Sequence, residues 1–368
     1  MYLSELDSGA LASGKPALPP RSYEDRSFED RALLRAAAAL NLELGRAKPV
    51  IYWTDMLLSA ALGYAGLFVA ITASSVALAI AGAVVAMLAL YRATSFIHEI
   101  SHLKPDAVPG FHTVWNLIAG VPLMIPSFMY EGVHTLHHHR ARYGTVDDPE
   151  YLPLSLMRTR TLALFMAAAA LAPIGFLIRH AVLVPLSLLF PPLRAAVMEK
   201  YSALAINPQF RRPAPDAKLK RSWAFWEVLA SLWSIGLIAL VVAGVVPVRA
   251  FLIYLGVLSG AMIVNQVRTL VAHLWENDGE EMSITAQYLD SVNVPPPGYL
   301  PALWAPVGLR YHAIHHLLPG LPYHALGEAH ARLIAAMPAD TSYHRANYRS
   351  LRAMVMRLVR ASMGAGRG

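Results

Sequence analysis

No charged residue occurs from Met56 to Tyr91, a run of 36 positions. A helix needs about 20 apolar residues to cross the hydrocarbon core of a bilayer. The run is therefore too long for one crossing and long enough for two. Ile71–Ser75 (ITASS) offers a small, polar turn between them, and Gly63 and Gly66 would let the two helices approach closely. A second pair follows: Val228–Val248 and Ala250–Val267 are uncharged, and Pro247 and Arg249 mark the turn between them. Only 15% of the chain is charged, against about 25% in an ordinary soluble domain.

Basic residues orient these segments. Seven Lys/Arg precede Pro49, fourteen lie from Arg92 to Arg221, and nine follow Val267, whereas the two turns hold none and one. The positive-inside rule then places both termini and the long middle region in the cytoplasm. The expected fold is an all-α membrane protein. Four transmembrane helices form two hairpins, at about 54–72, 75–95, 226–247 and 250–272, under a cytosolic helical cap. The chain divides into a cytosolic tail and pre-helix (1–50), a membrane domain (51–340) and a basic tail (341–368). Two further apolar stretches, Phe111–Tyr130 and Thr161–Phe190, also look long enough to cross. Pro122 and Pro126 interrupt the first; Arg179–His180, Pro173 and Pro185 interrupt the second. A charge at the bilayer centre costs about 2.5–3.5 kcal/mol, so both are expected as interfacial or protein-buried helices.

Cysteine is absent, which excludes disulfides, zinc–cysteine sites, iron–sulfur clusters and thiol nucleophiles. The net charge of +7 comes from residues that flank apolar stretches, so nucleic acid is not an expected partner. The opening twenty residues contain no apolar core; no cleaved signal peptide is expected, and the first ~25 residues read as a flexible tail.

Fifteen histidines remain, and nine fall into a pattern. HEISH places His98 and His102 at i and i+4, on the cytosolic extension of the second apolar helix. EGVHTLHHHR offers His134, His137 and His138, and HAIHH offers His312, His315 and His316, with the same spacing. His273 stands just past the cytosolic end of the fourth span. Residues three and four apart share a helix face, so each group can converge on a metal. One extra crossing would divide the groups between the two sides of the membrane. A single zinc takes three or four ligands; nine imidazoles suit two metals of four or five ligands each, and imidazole serves Zn, Cu, Fe and Ni alike. His139 lies ~100° around the helix from His138, so it reads as a supporting or solvent-facing residue. The trio His134, His138 and His139 stays open as an alternative.

The order HxxxH after a hairpin, then HxxHH, then HxxHH after a second hairpin resembles the integral-membrane fatty acid desaturase and hydroxylase superfamily, over roughly Tyr91–His324. His273 resembles the isolated histidine that such enzymes place after the fourth span. The resemblance implies two Fe ions facing the cytosol, with O2 as co-substrate and two electrons from an external ferredoxin- or cytochrome b5-type donor. It implies hydrogen abstraction from a methylene of a fatty acyl chain. The expected activity is fatty acid desaturation. A hydroxylase or ketolase acting on an acyl chain, sphingolipid or carotenoid would use the same ligands and is the alternative. The first box is one residue shorter than the HxxxxH of acyl-CoA desaturases. The amide-bearing residue that some relatives place one turn before the isolated histidine is here Thr269, with Asn265 a turn further back, so that role is not assigned. No His-Pro-Gly-Gly segment occurs, so a fused cytochrome b5 domain is not expected.

Metal-bound histidines hand their second N–H to a carboxylate or carbonyl. Glu99, Asp147, Asp148, Glu276 and Asp278, beside the boxes, are therefore candidates for that part or else solvated acids. His112, His180, His324, His330 and His344 lack the spacing and read as structural. Arg345, Arg349, Arg352, Arg357 and Arg360 suit a helix lying on anionic headgroups or a docking surface for an acidic electron carrier. A metal transporter would put its ligands within the spans, and a metalloprotease reading of HEISH would leave seven aligned histidines unused. The Arg-over-Lys, Ala-rich composition suggests a bacterial cytoplasmic (inner) membrane, with lipids as partners.

Overall fold

The computed structural model describes residues 27–296, 300–348 and 350–365; the tail expected over the first ~25 residues and Arg349 lie outside them. Among the described residues all regular structure is helical. Helix α1 (Arg31–Leu44) starts where the Asp30 carboxylate accepts from Leu33 N at 3.0 Å. It buries Leu33, Ala37 and Leu40, one stripe at helical spacing.

Helices α2 (Pro49–Thr72) and α3 (Val76–His102) form the expected hairpin, with Pro49 in the first turn and the Ser75 hydroxyl capping the return helix. Their backbones touch where side chains vanish. A Cβ on Gly66 would lie 2.8 Å from Ala86 N, and one on Gly82 would lie 2.8 Å from Ala70 N. Helix α3 carries on past the apolar run to His102, so the first histidine box is the rigid end of a long helix rather than a loop.

Phe111–Tyr130 packs inside the protein, as expected. It is broken into α4 (Phe111–Trp115), a π turn at Asn116–Gly120 and a 3₁₀ turn at Ser127–Met129, with Trp115, Met124 and Phe128 fully buried. Helix α5 (Val133–His137) carries the second box. Then comes α6 (Thr159–Ile178), which runs through a π turn into Ser187 as one helical stretch. Helix α7 (Pro191–Lys200) leads back toward the second hairpin, α8 (Ala217–Val242) and α9 (Val248–Leu270).

Five helices among the described residues are long and apolar enough to cross a membrane, where four were expected: Pro49–Thr72, Val76–His102, Thr159–Ser187, Ala217–Val242 and Val248–Leu270. No more than a third of any apolar window is buried in the protein. Residues such as Leu62, Phe68, Leu171, Leu232 and Leu252 stand exposed, and an apolar surface of that extent fits an integral membrane protein. The unexpected member is Thr159–Ser187. Its Arg179, the charge that argued against a span, is buried with its counter-charge: Arg179 Nη2 donates to Glu227 Oε1 of α8 at 2.7 Å. Arg194 reaches the other oxygen of Glu227 at 2.6 Å. A guanidinium that turns into the protein does not face lipid.

The cap follows α9. Three isolated β-bridges, His273–Ser291, Asn293–Tyr311 and Asn293–Asn347, pin its loops together. Around them pack α10 (Ile284–Asp290), α11 (His312–Leu317) with the third box, and α12 (Tyr323–Ala336), on which α1 lies. Part of the basic tail is helix α13 (Leu351–Ala365), which buries Met354 and Leu358 against the body and pairs Arg357 with Glu276.

Candidate metal centre

The nine patterned histidines come from four places in the chain, each fixed locally. His98 and His102 share a face at the end of α3. Helix α5 begins after Gly132, whose φ of +74° is a left-handed conformation that side chains resist; the turn presents His134 and His137, with His138 as its C-cap. Helix α11 is buried throughout. It is seated by Ala313 N donating to Val292 O at 3.3 Å and Ile314 N donating to the Asn293 side-chain oxygen at 3.1 Å. His273 is held by its bridge to Ser291.

They assemble into two groups of four. In His98, His102, His134 and His315, one ring nitrogen each lies within 4.8 Å of the others; His137, His273, His312 and His316 form the second group on the same measure. His138 joins the first group, its Nε2 3.0 Å from His134 Nε2 and 3.0 Å from His315 Nε2. In the second group His312 Nε2 stands 3.0 Å from His273 Nε2 and 3.1 Å from His316 Nε2.

The outer nitrogens show which tautomers are present. His134 Nδ1 lies 2.9 Å from Glu150 Oε1, and His137 Nδ1 lies 2.9 Å from Asp148 Oδ2. His273 Nδ1 meets the Tyr143 hydroxyl at 2.8 Å, and that hydroxyl donates to Asp290 Oδ2 at 2.8 Å. Acceptors outside fix the ring proton there and turn the Nε2 lone pair inward. With their outer nitrogens so engaged, His134 and His273 turn Nε2 toward the other ring nitrogens of their groups, an arrangement that suits a cation at each focus. Nδ1 of His312, His315 and His316 and both ring nitrogens of His98 are buried without a hydrogen-bond partner among the described residues. The donor set could therefore hold two metal ions.

Charge state points the same way. Burial, reinforced by mutual repulsion, holds His134, His138, His273, His312, His315 and His316 well below the ordinary histidine range. They are neutral, as ligands must be. Burial also pulls on His137, but the charge and hydrogen bonds of Asp148 outweigh it and the net shift is upward. Burial raises the Glu150 carboxyl to about 7, against the opposing pull of His137 and Tyr130.

A cavity of about 370 Å³ opens beside both groups. One wall is apolar (Phe165, Ala169 and Phe176 of α6, Met262 of α9); the other carries Asn265, Gln266 and Arg268 of α9.

Among the expected supporting residues, Asp148 does hold a histidine. Glu99 is 3.7 Å from His98 Nδ1 and is engaged instead by the Tyr52 hydroxyl at 2.5 Å and by Tyr323 N at 3.1 Å. Asp147, Asp278 and His139 are exposed, and Glu276 turns to Arg357. Asp147, Glu276, Asp278 and His139 therefore do not reach the cluster, because they lie on the outer side of their turns. Besides His139, the other five histidines outside the pattern bond elsewhere: His112 to Glu131, His180 to Met124 O, His324 to Lys48 N, His330 to Tyr343 and His344 to Met337 O. Sequence reasoning missed Glu150, Tyr130, Tyr143 and Asp290. Glu150 was within reach, two positions after Asp148 in DDPEY; Tyr143 and Asp290 meet His273 from |i−j| of 130 and from across the cap, and no spacing announces them.

The sequence model described as fatty acid desaturase matches residues 73–348. A curated relative, the ceramide hydroxylase of Caulobacter vibrioides, is 51% identical over 322 residues, which cover 88% of this chain and 92% of that protein. No solved structure matches. The relative overturns the expectation of a fatty acyl desaturase. Both reactions use the same ligands, and the outcome turns on the placement of a substrate carbon, which the boxes do not encode. The match over residues 73–348 takes in every histidine box, and the chain belongs to the fatty acid desaturase family.

Proposed function

We propose that this protein is a membrane-bound lipid hydroxylase that acts on ceramide. The observation that carries the reading is the 51% identity to a ceramide hydroxylase across 88% of the chain. The nine converging histidines support it, since they provide the ligand set the reaction needs. His98, His102, His134, His138 and His315 would hold one iron, and His137, His273, His312 and His316 the other. Two bound irons would supply the redox chemistry that activates O2 toward a strong C–H bond, which acid–base side chains cannot break. The overall change balances: one C–H bond and the O–O bond break, one oxygen becomes the new C–OH and the other leaves as water. Two electrons from an external one-electron carrier of the ferredoxin or cytochrome b5 class and two protons complete it.

The chain's own residues do the rest. Glu150, Asp148 and the Tyr143–Asp290 pair fix ring orientation, so that the nitrogens stay pre-set while substrate exchanges. The apolar wall of α6 excludes water and receives hydrocarbon. The topology that fits is four crossings, with the segment that holds α6 and α7 entering and leaving on one side. Ile206 N and Asn207 N both donate to Pro149 O, at 2.9 and 3.1 Å, so the segment between leaves from and comes back to one place. The excess of Lys/Arg beside the histidine groups favours their lying on the cytoplasmic side, in a bacterial inner membrane.

The test is lipid analysis of cells with and without the gene, together with metal analysis of the purified protein. Ceramide gaining one oxygen, and about two irons per chain, are the expected results; unaltered ceramide or a single zinc would refute the reading.

A further inference from the structure

The cavity beside the histidine groups has an asymmetry that hydrocarbon binding does not require. Three polar side chains within four positions, Asn265, Gln266 and Arg268, line it from the last turns of α9, facing the apolar wall of α6. Arg268 Nη2 donates to Asn265 Oδ1 at 3.3 Å. Its Nε is buried and has no hydrogen-bond partner among the described residues. Gln266 is anchored, its Nε2 donating to Phe165 O at 3.3 Å. A buried N–H left unmade is costly, and the cost disappears when a bound oxygen accepts from it. The guanidinium also lies beside the Tyr91 hydroxyl and near Glu150, which line the same cavity.

We infer that Arg268, with Asn265 and Gln266, holds the polar linkage of the substrate, the amide and neighbouring hydroxyls of a ceramide, next to the metal centre. The inference rests on the hydroxylase reading above. The chemistry of the trio favours a neutral linkage over a phosphate or carboxylate. Arg only donates, but Asn and Gln also accept, so the set matches a group that offers both C=O and N–H or O–H. Glu150 on the same cavity disfavours an added anion. With the linkage fixed there, the hydrocarbon lies along Phe165 and Phe176, and the carbon nearest the histidines is close to the linkage. The new hydroxyl falls within a few carbons of the amide rather than in mid-chain.

Binding is measured on the full-length protein stripped of metal by chelation, using a short-chain ceramide and the matching free fatty acid, read by tryptophan fluorescence through Trp275 at the cavity wall. The wild type is expected to bind the ceramide, and Arg268→Met to bind it about tenfold more weakly or worse, with Arg268→Lys intermediate. The fatty acid, which lacks an N–H, is expected to bind more weakly than ceramide and to discriminate less between the variants. With metal restored, Arg268→Met is expected to raise KM more than it lowers kcat and to scatter the hydroxyl position seen by tandem mass spectrometry. Should Arg268→Met fail to fold, Asn265→Leu gives the same comparison and is expected to weaken ceramide binding as well. Unchanged ceramide affinity and product position in whichever variant folds would overturn this assignment alone. A wild type that leaves ceramide unhydroxylated in cells would overturn the hydroxylase reading, and this assignment with it.

Discussion

His138 and His139 are neighbours in sequence and opposites in environment. His138 Nε2 sits between His134 and His315 at 3.0 Å from each, whereas His139 is exposed. His138→Ala is therefore expected to lose bound metal and activity, and His139→Ala to keep both, as measured by metal analysis of the two purified variants. His315→Ala should abolish activity, while His344→Ala, whose ring meets the Met337 carbonyl and the Tyr343 ring away from the histidine groups, should leave it near normal. Tyr143 gives a finer test, because its hydroxyl hands the orientation of Asp290 to His273. Tyr143→Phe should keep the fold but weaken metal retention about 10–100-fold, read by competition with a chelator. Acid should act on the same residues. Buried His134, His273 and His312 have pKa values below their unfolded value of 6.5, so at these positions the unfolded chain takes up more protons as pH falls. Stability is fully present above about 6.5 and is lost below it; thermal melts of the chelated protein at stepwise lower pH should show it. Eight of the nine patterned histidines could be read from spacing, since i, i+3 and i+4 share one helix face; His273, isolated in sequence, was read from its place after the fourth apolar span and from the family resemblance. Their outer-nitrogen partners could not be read so fully: Asp148 could, being close in the chain, but Tyr143 and Asp290 arrive from segments that only the folded cap brings together.

Among the elements, the two hairpins were legible because absence of charge over a sufficient length has few other meanings in water. Their close approach was legible from Gly63 and Gly66, though the partner glycine on the return helix, Gly82, was not singled out. Gly82→Val should overpack that crossing by about 1–3 kcal/mol or more, because its first added carbon already meets backbone atoms at 2.8 Å. A lowered melting temperature in detergent, with the metal content of the surviving fraction unchanged, is the expected outcome. Helix Thr159–Ser187 was read as an apolar helix but left out of the count of crossing candidates, for a definite reason. Arg179 was weighed as a charge in lipid, and its partner Glu227 lies 48 positions away, too far for local pattern to pair them. The short helices α5 and α11 were legible only through the histidines they carry. Each is about as short as a helix can be, and burial against the rest of the cap, rather than propensity, is what holds them.

At the scale of the whole molecule, the hairpins supply a frame, and segments outside them supply seven of the nine patterned histidines. The fold class was legible; the count of apolar helices was not, and neither was the choice between inserting an oxygen and removing two hydrogens. That choice depends on where a carbon rests relative to the histidines, a displacement far smaller than anything residue spacing resolves. The long separations across the centre have one further consequence, for biosynthesis. His134 and His315 converge although they are 181 positions apart. While the ribosome is still making the second hairpin, the first two boxes are already outside it with no third box to close them. The two histidine groups are therefore complete only after most of the protein has been made, so any metal would have to be loaded late in the life of each copy, and a chain stopped just before His312 should still insert in the membrane yet retain no metal on purification.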